Sequence, residues 1–153
     1  MNCFMKEKIY CAYGSNMNLE QMSHRCPKAK IIGKGKLENY ELTFRGVYKG
    51  VANIEYCEGA IVPIVLWNIT DECENALDVY EGYPSLYIKK EVEVIVDEKA
   101  IKAMAYIMNE KFNKMIAVPT EYYFNVIVKG YKDNKIDLGP LQIAYSKCLP
   151  EAK

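Results

Sequence analysis

Between Ile31 and Ile69 four strand-like segments follow one another with no helix between them, and that succession excludes most ways of folding the chain. Ile31–Leu37, Glu41–Phe44, Val51–Tyr56 and Ile61–Ile69 are rich in β-branched and aromatic residues. Turn-prone Arg45-Gly46, Lys49-Gly50 and Cys57-Glu58-Gly59 punctuate them, the last reading as a hairpin turn. Gly33 and Gly35 mark a bulge or a barrel bend, and Pro63, which has no N–H to donate, points to an edge or bulged position. Farther on, Tyr87–Val96 alternates with Ile88, Val92, Val94 and Val96 in phase. Asp97-Glu98-Lys99 turns that segment back into Ile101–Met108. A parallel Rossmann-type sheet needs regular β–α alternation, which is missing. The expected class is α+β: a mixed β-barrel or strongly curved sheet with a few helices between strands.

The helices carry their own start and stop signals. Asn18–Arg25 has Leu19 and Met22 as a short apolar stripe and ends at Pro27. Thr70 or Asp71 can cap the next helix, with Glu74 as capping-box partner. Its stripe is Cys73, Ala76, Leu77 and Tyr80; Gly82 and Pro84 end it. Pro119-Thr120 opens a third helix running to about Lys129 and closed by Gly130. Leu141, Ala144, Tyr145 and Cys148 stripe a fourth.

At 153 residues a single domain spanning 1–153 is expected. Twenty basic residues balance twenty acidic ones, so net charge draws the chain to neither nucleic acid nor a membrane surface. No apolar run reaches membrane-spanning length, and Met1–Lys8 lacks the apolar core of a secretory signal, so a cytoplasmic protein is expected. The cysteines (Cys3, Cys11, Cys26, Cys57, Cys73, Cys148) are scattered without a C-x-x-C pair. They read as small buried hydrophobes and not as a disulfide framework. With His24 the one histidine, neither a metal site nor a cofactor is expected.

Two places carry chemistry. Tyr13-Gly14-Ser15-Asn16-Met17 follows the apolar run Ile9–Ala12 and precedes a helix start. Gly14 permits a bend, and Ser15, Asn16 and Asn18 are good caps, so free N–H groups there can hold phosphate or carboxylate. A capped turn without a ligand fits the same pentapeptide. Glu81 lies four residues beyond Leu77 and so continues the inward face, whereas Glu74 and Asp78 belong to the solvent face. Burial and the negative helix end both raise a carboxyl's pKa, which makes Glu81 a candidate general base. The alternative is a long side chain that reaches back to water. His24 and Cys26 are two apart and point in different directions, a poor nucleophile–base pair.

These residues in this order resemble the γ-glutamylcyclotransferase-like family, which includes the plant avirulence-induced and γ-glutamylamine cyclotransferase relatives. The resemblance rests on Tyr13–Met17, Arg25-Cys26-Pro27, Val65-Leu66-Trp67, Leu77-Asp78-x-Tyr80-Glu81-Gly82 and Gly130-Tyr131. The Glu-Gly-Tyr-Pro ending is similar to bacterial-type members. The resemblance implies a mixed, partly closed β-barrel with flanking helices and a cavity at one end. It implies that Tyr10, Cys11, Ala12, Tyr13, Gly14, Ser15 and Asn16 bind a γ-glutamyl head, with Tyr106 as a further ligand-binding residue and Glu81 as general acid and base. The implied reaction forms 5-oxoproline and releases an amine or amino acid, without metal or cofactor. The implied partner is a small γ-glutamyl molecule, with no nucleic acid or membrane. A homodimer stays an open option. A non-catalytic binder of a γ-glutamyl or other carboxylate metabolite, or a vestigial cavity, would use the same loop. The leaving-group pocket is assigned to Arg45–Gly50 and Asn109–Val118, which carry no readable code.

Overall fold

In the computed structural model, which describes residues 8–150, five strands form a closed barrel in the order β1-β3-β2-β4-β5. β1 is Lys8–Ala12, β2 Lys30–Arg45, β3 Val51–Ile69, β4 Tyr87–Val96 and β5 Lys99–Met108. Neighbours are antiparallel except β1 and β5, whose parallel seam meets at Tyr10 and Met104. The helices are α1 (Leu19–Arg25), α2 (Asp71–Glu81), α3 (Glu121–Asp133) and α4 (Gly139–Ser146). Among the described residues no helix is long and apolar enough to cross a membrane.

The four strand segments predicted between Ile31 and Ile69 are two long strands, and the Cys57–Gly59 turn is a correction. The real hairpin closes at 46–50, pairing Arg45 with Val51. β3 runs on through Cys57–Gly59, and the register slips between the Glu38↔Ile61 and Tyr40↔Tyr56 pairs. The slip is absorbed by Asn39 (φ 66°) and Gly59 (φ 84°), with the Gly59 N–H donating to Asn39 Oδ1 at 3.0 Å. Positive φ here serves a bulge instead of a turn. Both halves of β3 therefore pair with β2 and not with each other. A long, bulged, twisting pair of this kind is what wraps a small barrel. Pro63 lies beyond the stretch Val65–Ile69 that β1 covers, the edge position expected of it.

β2 crosses β4 at one register position, Lys36↔Ile95. A Cβ on Gly35 would lie 2.3 Å from the Ile95 carbonyl oxygen, so the crossing requires glycine. The Val96↔Lys99 pair leaves Asp97 (φ 48°) and Glu98 (φ 66°) as a two-residue turn. Leu37, Ile54, Val62, Ile64, Leu66, Val94 and Ala105 fill the interior.

Caps occur where the residue types place them. Asn18, Thr70 and Thr120 each accept from the backbone N–H three residues on, about 1 kcal/mol of helix stability apiece. Gly82 closes α2 in the left-handed region. Gly130 does not close α3, which continues to Asp133. A Cβ at Gly130 would stand 2.8 Å from the Asn18 nitrogen and 2.9 Å from the Met17 carbonyl carbon. The glycine is used for close approach of α3 to the turn before α1.

Two further expectations are corrected. Cys26 and Cys73 are disulfide-bonded with Cα atoms 5.0 Å apart. They join the end of α1 to the first turn of α2 across 47 residues, a proximity no sequence spacing reveals. Cys11 is buried as expected, Cys57 and Cys148 are partly exposed, and Cys3 lies outside the described residues. Glu74 and Asp78 are not on a solvent face. Glu74 is buried and takes hydrogen bonds from Lys8 and, at 2.8 Å, Lys89; Asp78 accepts from Lys89 and from Tyr106 Oη at 2.5 Å. Burial alone would raise the Glu74 carboxyl, but the two lysine hydrogen bonds outweigh it and hold the group below its ordinary value. α2 is thus pinned to the barrel by charged contacts along one side and by Leu77 and Cys73 along the other.

Candidate active site

β1 ends at Ala12, and the chain bends at Gly14 into a single 3₁₀ turn, Ser15–Met17. The Met17 and Asn18 N–H groups donate to the Gly14 and Ser15 carbonyls. The leading N–H groups of such a turn have no intrahelical acceptor. A Cβ on Gly14 would sit 3.0 Å from Ala52 Cβ, so the turn lies directly against the start of β3. Ser15 and Asn16 are buried, and the Asn16 carbonyl accepts from Trp67 Nε1 at 3.0 Å. Trp67, predicted only as part of a motif, therefore holds the turn from beneath.

The turn contributes to a pocket lined by Tyr10, Tyr13, Gly14, Ser15, Asn16, Ala52, Glu81, Tyr87, Tyr106 and Tyr123. Seven of the nine site residues expected from the sequence meet there. Cys11 and Ala12 do not: both are buried in β1, facing Leu66 and Val65 in the register, and burial pushes the Cys11 thiol up to about 12. Ala52, Tyr87 and Tyr123 were missed. They come from three separate elements, and no local pattern distinguishes them from packing residues.

Five tyrosines in one wall are held by specific bonds. Tyr13 Oη donates to the Tyr106 carbonyl (2.5 Å), Tyr87 Oη to the Ala52 carbonyl (2.6 Å) and Tyr106 Oη to Asp78. Tyr10 Oη instead accepts from Asn16 Nδ2 (3.0 Å), and Tyr123 Oη accepts from the Ala52 N–H (3.0 Å). A hydroxyl that accepts still has its own proton to give. Among the described residues, Tyr10 and Tyr123 are the wall hydroxyls with that donor uncommitted. Burial holds all five phenols above their ordinary range, so they stay neutral donors.

Glu81 is the last residue of α2 and is half-buried, and its carboxylate makes no hydrogen bond among the described residues. Desolvation raises its carboxyl from the ordinary 4.5 to about 7, against the opposing pull of Arg25. The expected inward placement is therefore observed, and the group is poised to gain or lose a proton near neutrality. The His24–Cys26 alternative has no basis: His24 is exposed and Cys26 is in the disulfide. Among the described residues no three His, Cys, Asp or Glu side chains converge as a metal site.

This geometry has relatives. A family model described as "Gamma-glutamyl cyclotransferase, AIG2-like" matches residues 10–125, a span that holds the turn, Glu81 and all five tyrosines. The human protein named Gamma-glutamylcyclotransferase is 31% identical over 140 residues, 85% of this chain and 73% of that protein. The mouse protein of the same name is 31% identical over 136 residues, 82% of this chain and 71% of its own. A solved structure named Gamma-glutamyl cyclotransferase superposes with a TM-score of 0.78 at 28% identity, covering 97% of this chain and 90% of that one. With the turn and the buried carboxyl both inside the matched span, the chain belongs to the γ-glutamylcyclotransferase, AIG2-like family.

Proposed function

We propose that this chain is a γ-glutamylcyclotransferase that cyclises a γ-glutamyl amide to 5-oxoproline with Glu81 as general acid and base. The observation that carries the reading is the Glu81 carboxyl, which lines the same pocket as the Gly14–Asn16 turn, is raised to about 7 and makes no side-chain hydrogen bond among the described residues.

The substrate's α-carboxylate sits at the leading N–H groups of the turn. Its α-ammonium gives a proton to Glu81 and becomes a nucleophile. The amine then attacks the γ-carbonyl of the same molecule, forming the ring C–N bond. After attack the ring nitrogen carries one proton more than the lactam keeps and gives it up as the C–N bond to the leaving group breaks. The departing nitrogen takes that proton and the one returned by Glu81, and leaves as an ammonium. The closure is intramolecular, so holding the chain bent supplies much of the acceleration. The carbonyl oxygen gains negative charge in the step, and Tyr10 and Tyr123 have hydroxyl protons to offer it.

Three outcomes test this. Mass spectrometry should detect 5-oxoproline from members of a panel of γ-glutamyl amines and dipeptides. Tight retention of a γ-glutamyl compound with no turnover across the panel would make the chain a binder instead. The rate should climb with pH through about 7, because a base must be deprotonated to act and Glu81 is held protonated below that value; a profile flat from pH 5.5 to 8.5 would remove Glu81 from the role. Gly14→Val should raise KM more than it lowers kcat, since its side chain would press on Ala52 and open the turn that grips the carboxylate. An unchanged KM in that variant would place the carboxylate elsewhere.

A further inference from the structure

Arg25, in the last turn of α1, touches both halves of the site, yet the reaction as proposed gives it no task. Its Nη1 donates to Asn16 Oδ1 at 2.7 Å and its Nη2 to Gln21 Oε1 at 2.6 Å. The guanidinium carbon lies 3.5 Å from the centre of the Tyr80 ring, and Tyr80 Oη is 2.9 Å from Ser15 Oγ. Tyr80 precedes Glu81 on α2. One planar side chain therefore ties Asn16 directly, and Ser15 through Tyr80, to the helix end that carries the carboxyl. Lysine, a single point charge without a planar fork, could not do both.

We propose that Arg25 is the positioning residue of this site, holding the Ser15–Asn16 turn against the end of α2 and supplying the positive charge that faces Glu81. The inference rests on the reading of Glu81 as the base. The groups around that carboxyl come from five other elements: Arg25 from α1, Tyr10 and Tyr13 from β1 and its turn, Tyr87 from β4, Tyr106 from β5 and Tyr123 from α3. Tyr80 stands beside it on its own helix. The buried phenols are neutral and offer no countercharge. Desolvation drives Glu81 towards the protonated form, and Arg25 opposes it. The arginine thus keeps the base within reach of neutral pH while it fixes the distance between base and carboxylate grip.

The test uses the full chain labelled with ¹³C-glutamate, the Glu81 carboxyl being identified by its loss in Glu81→Gln. Its NMR titration midpoint is followed beside the pH profile of kcat/KM for 5-oxoproline release. In Arg25→Gln the midpoint should rise by about one pH unit, the acid limb of the profile should move with it, and KM should rise several-fold. In Arg25→Lys the midpoint should stay near wild type while KM still rises, because charge is kept and the fork is lost. A folded Arg25→Gln with an unmoved midpoint overturns the proposal. So does an Arg25→Lys protein with wild-type KM, which keeps the test decisive if Arg25→Gln fails to fold. No 5-oxoproline from wild type, with the midpoint still moving in Arg25→Gln, would remove the cyclotransferase reading and leave the electrostatic role of Arg25 standing.

Discussion

Replacing Glu81 by Gln is expected to cut 5-oxoproline release by about 10²–10⁴-fold while leaving the protein folded and, at neutral pH, more stable. The activity loss follows because glutamine keeps the shape of the side chain but can neither take the ammonium proton nor return it. The stability gain follows from linkage. The Glu81 carboxyl titrates at about 7 when folded and near 4.5 when unfolded, so between those values the folded chain binds more protons. Stability therefore falls as pH rises through that window, and above about 7 the folded protein carries a desolvated charge. Removing it should return up to about 3 kcal/mol at pH 8 and nothing at pH 4. Thermal unfolding of the two proteins at both pH values measures this, beside turnover at saturating substrate. Near-normal turnover in Glu81→Gln would remove the general-base role. Equal stability at both pH values would show that the carboxyl is not desolvated. The paired result, more stable and inactive, is the signature of a residue kept for chemistry at a cost to the fold.

Gly130→Val is expected to have the largest effect on the scaffold. A single Cβ there already falls within 3.0 Å of Asn18 N, Met17 C and Met17 Cβ, two of them backbone atoms that cannot rotate away. Valine adds two methyl groups to that space. The intrinsic gain in helix propensity is a fraction of a kcal/mol, whereas forcing atoms into a packed contact costs on the order of 3 kcal/mol. The melting temperature should drop by about 6–12 °C. Because α3 presses on Met17 and Asn18, which end the turn proposed to hold the carboxylate, KM should rise as well. Asn134 Nδ2 also donates to the Met17 carbonyl at 2.8 Å, a contact that displacement of α3 would break. Unchanged melting and KM would show that α3 does not brace the turn.

Much of this arrangement was legible because it is local. Asn18, Thr70 and Thr120 cap their helices through side chains that reach only three residues ahead, and Gly82 stops α2 by its own dihedral freedom. Glu81 could be placed inward because it is one helical turn from Leu77. What failed were inferences that needed a partner. Cys57-Glu58-Gly59 has the composition of a turn, yet its positive φ serves a bulge, because the competing choice was made by β2 pairing along nearly the whole of β3. Glu74 and Asp78 looked solvated since a carboxylate is rarely buried alone. They are not alone: Lys8, Lys89 and Tyr106 come from three strands to meet them.

The sequence by itself determined the helix caps at Asn18, Thr70, Thr120 and Gly82, the turn that follows Tyr13 and the inward direction of Glu81, all products of interactions within a few residues. Only the tertiary structure decided that Cys26 bonds to Cys73, that Gly130 is a point of contact, and that Tyr87, Tyr123 and Ala52 complete the pocket. It also decided which hydroxyls have a proton left to give, since that depends on what each tyrosine meets across the barrel. The division is physical: caps and periodicity are written in short-range geometry, whereas desolvation, close approach and hydrogen-bond direction exist only once distant segments share a wall.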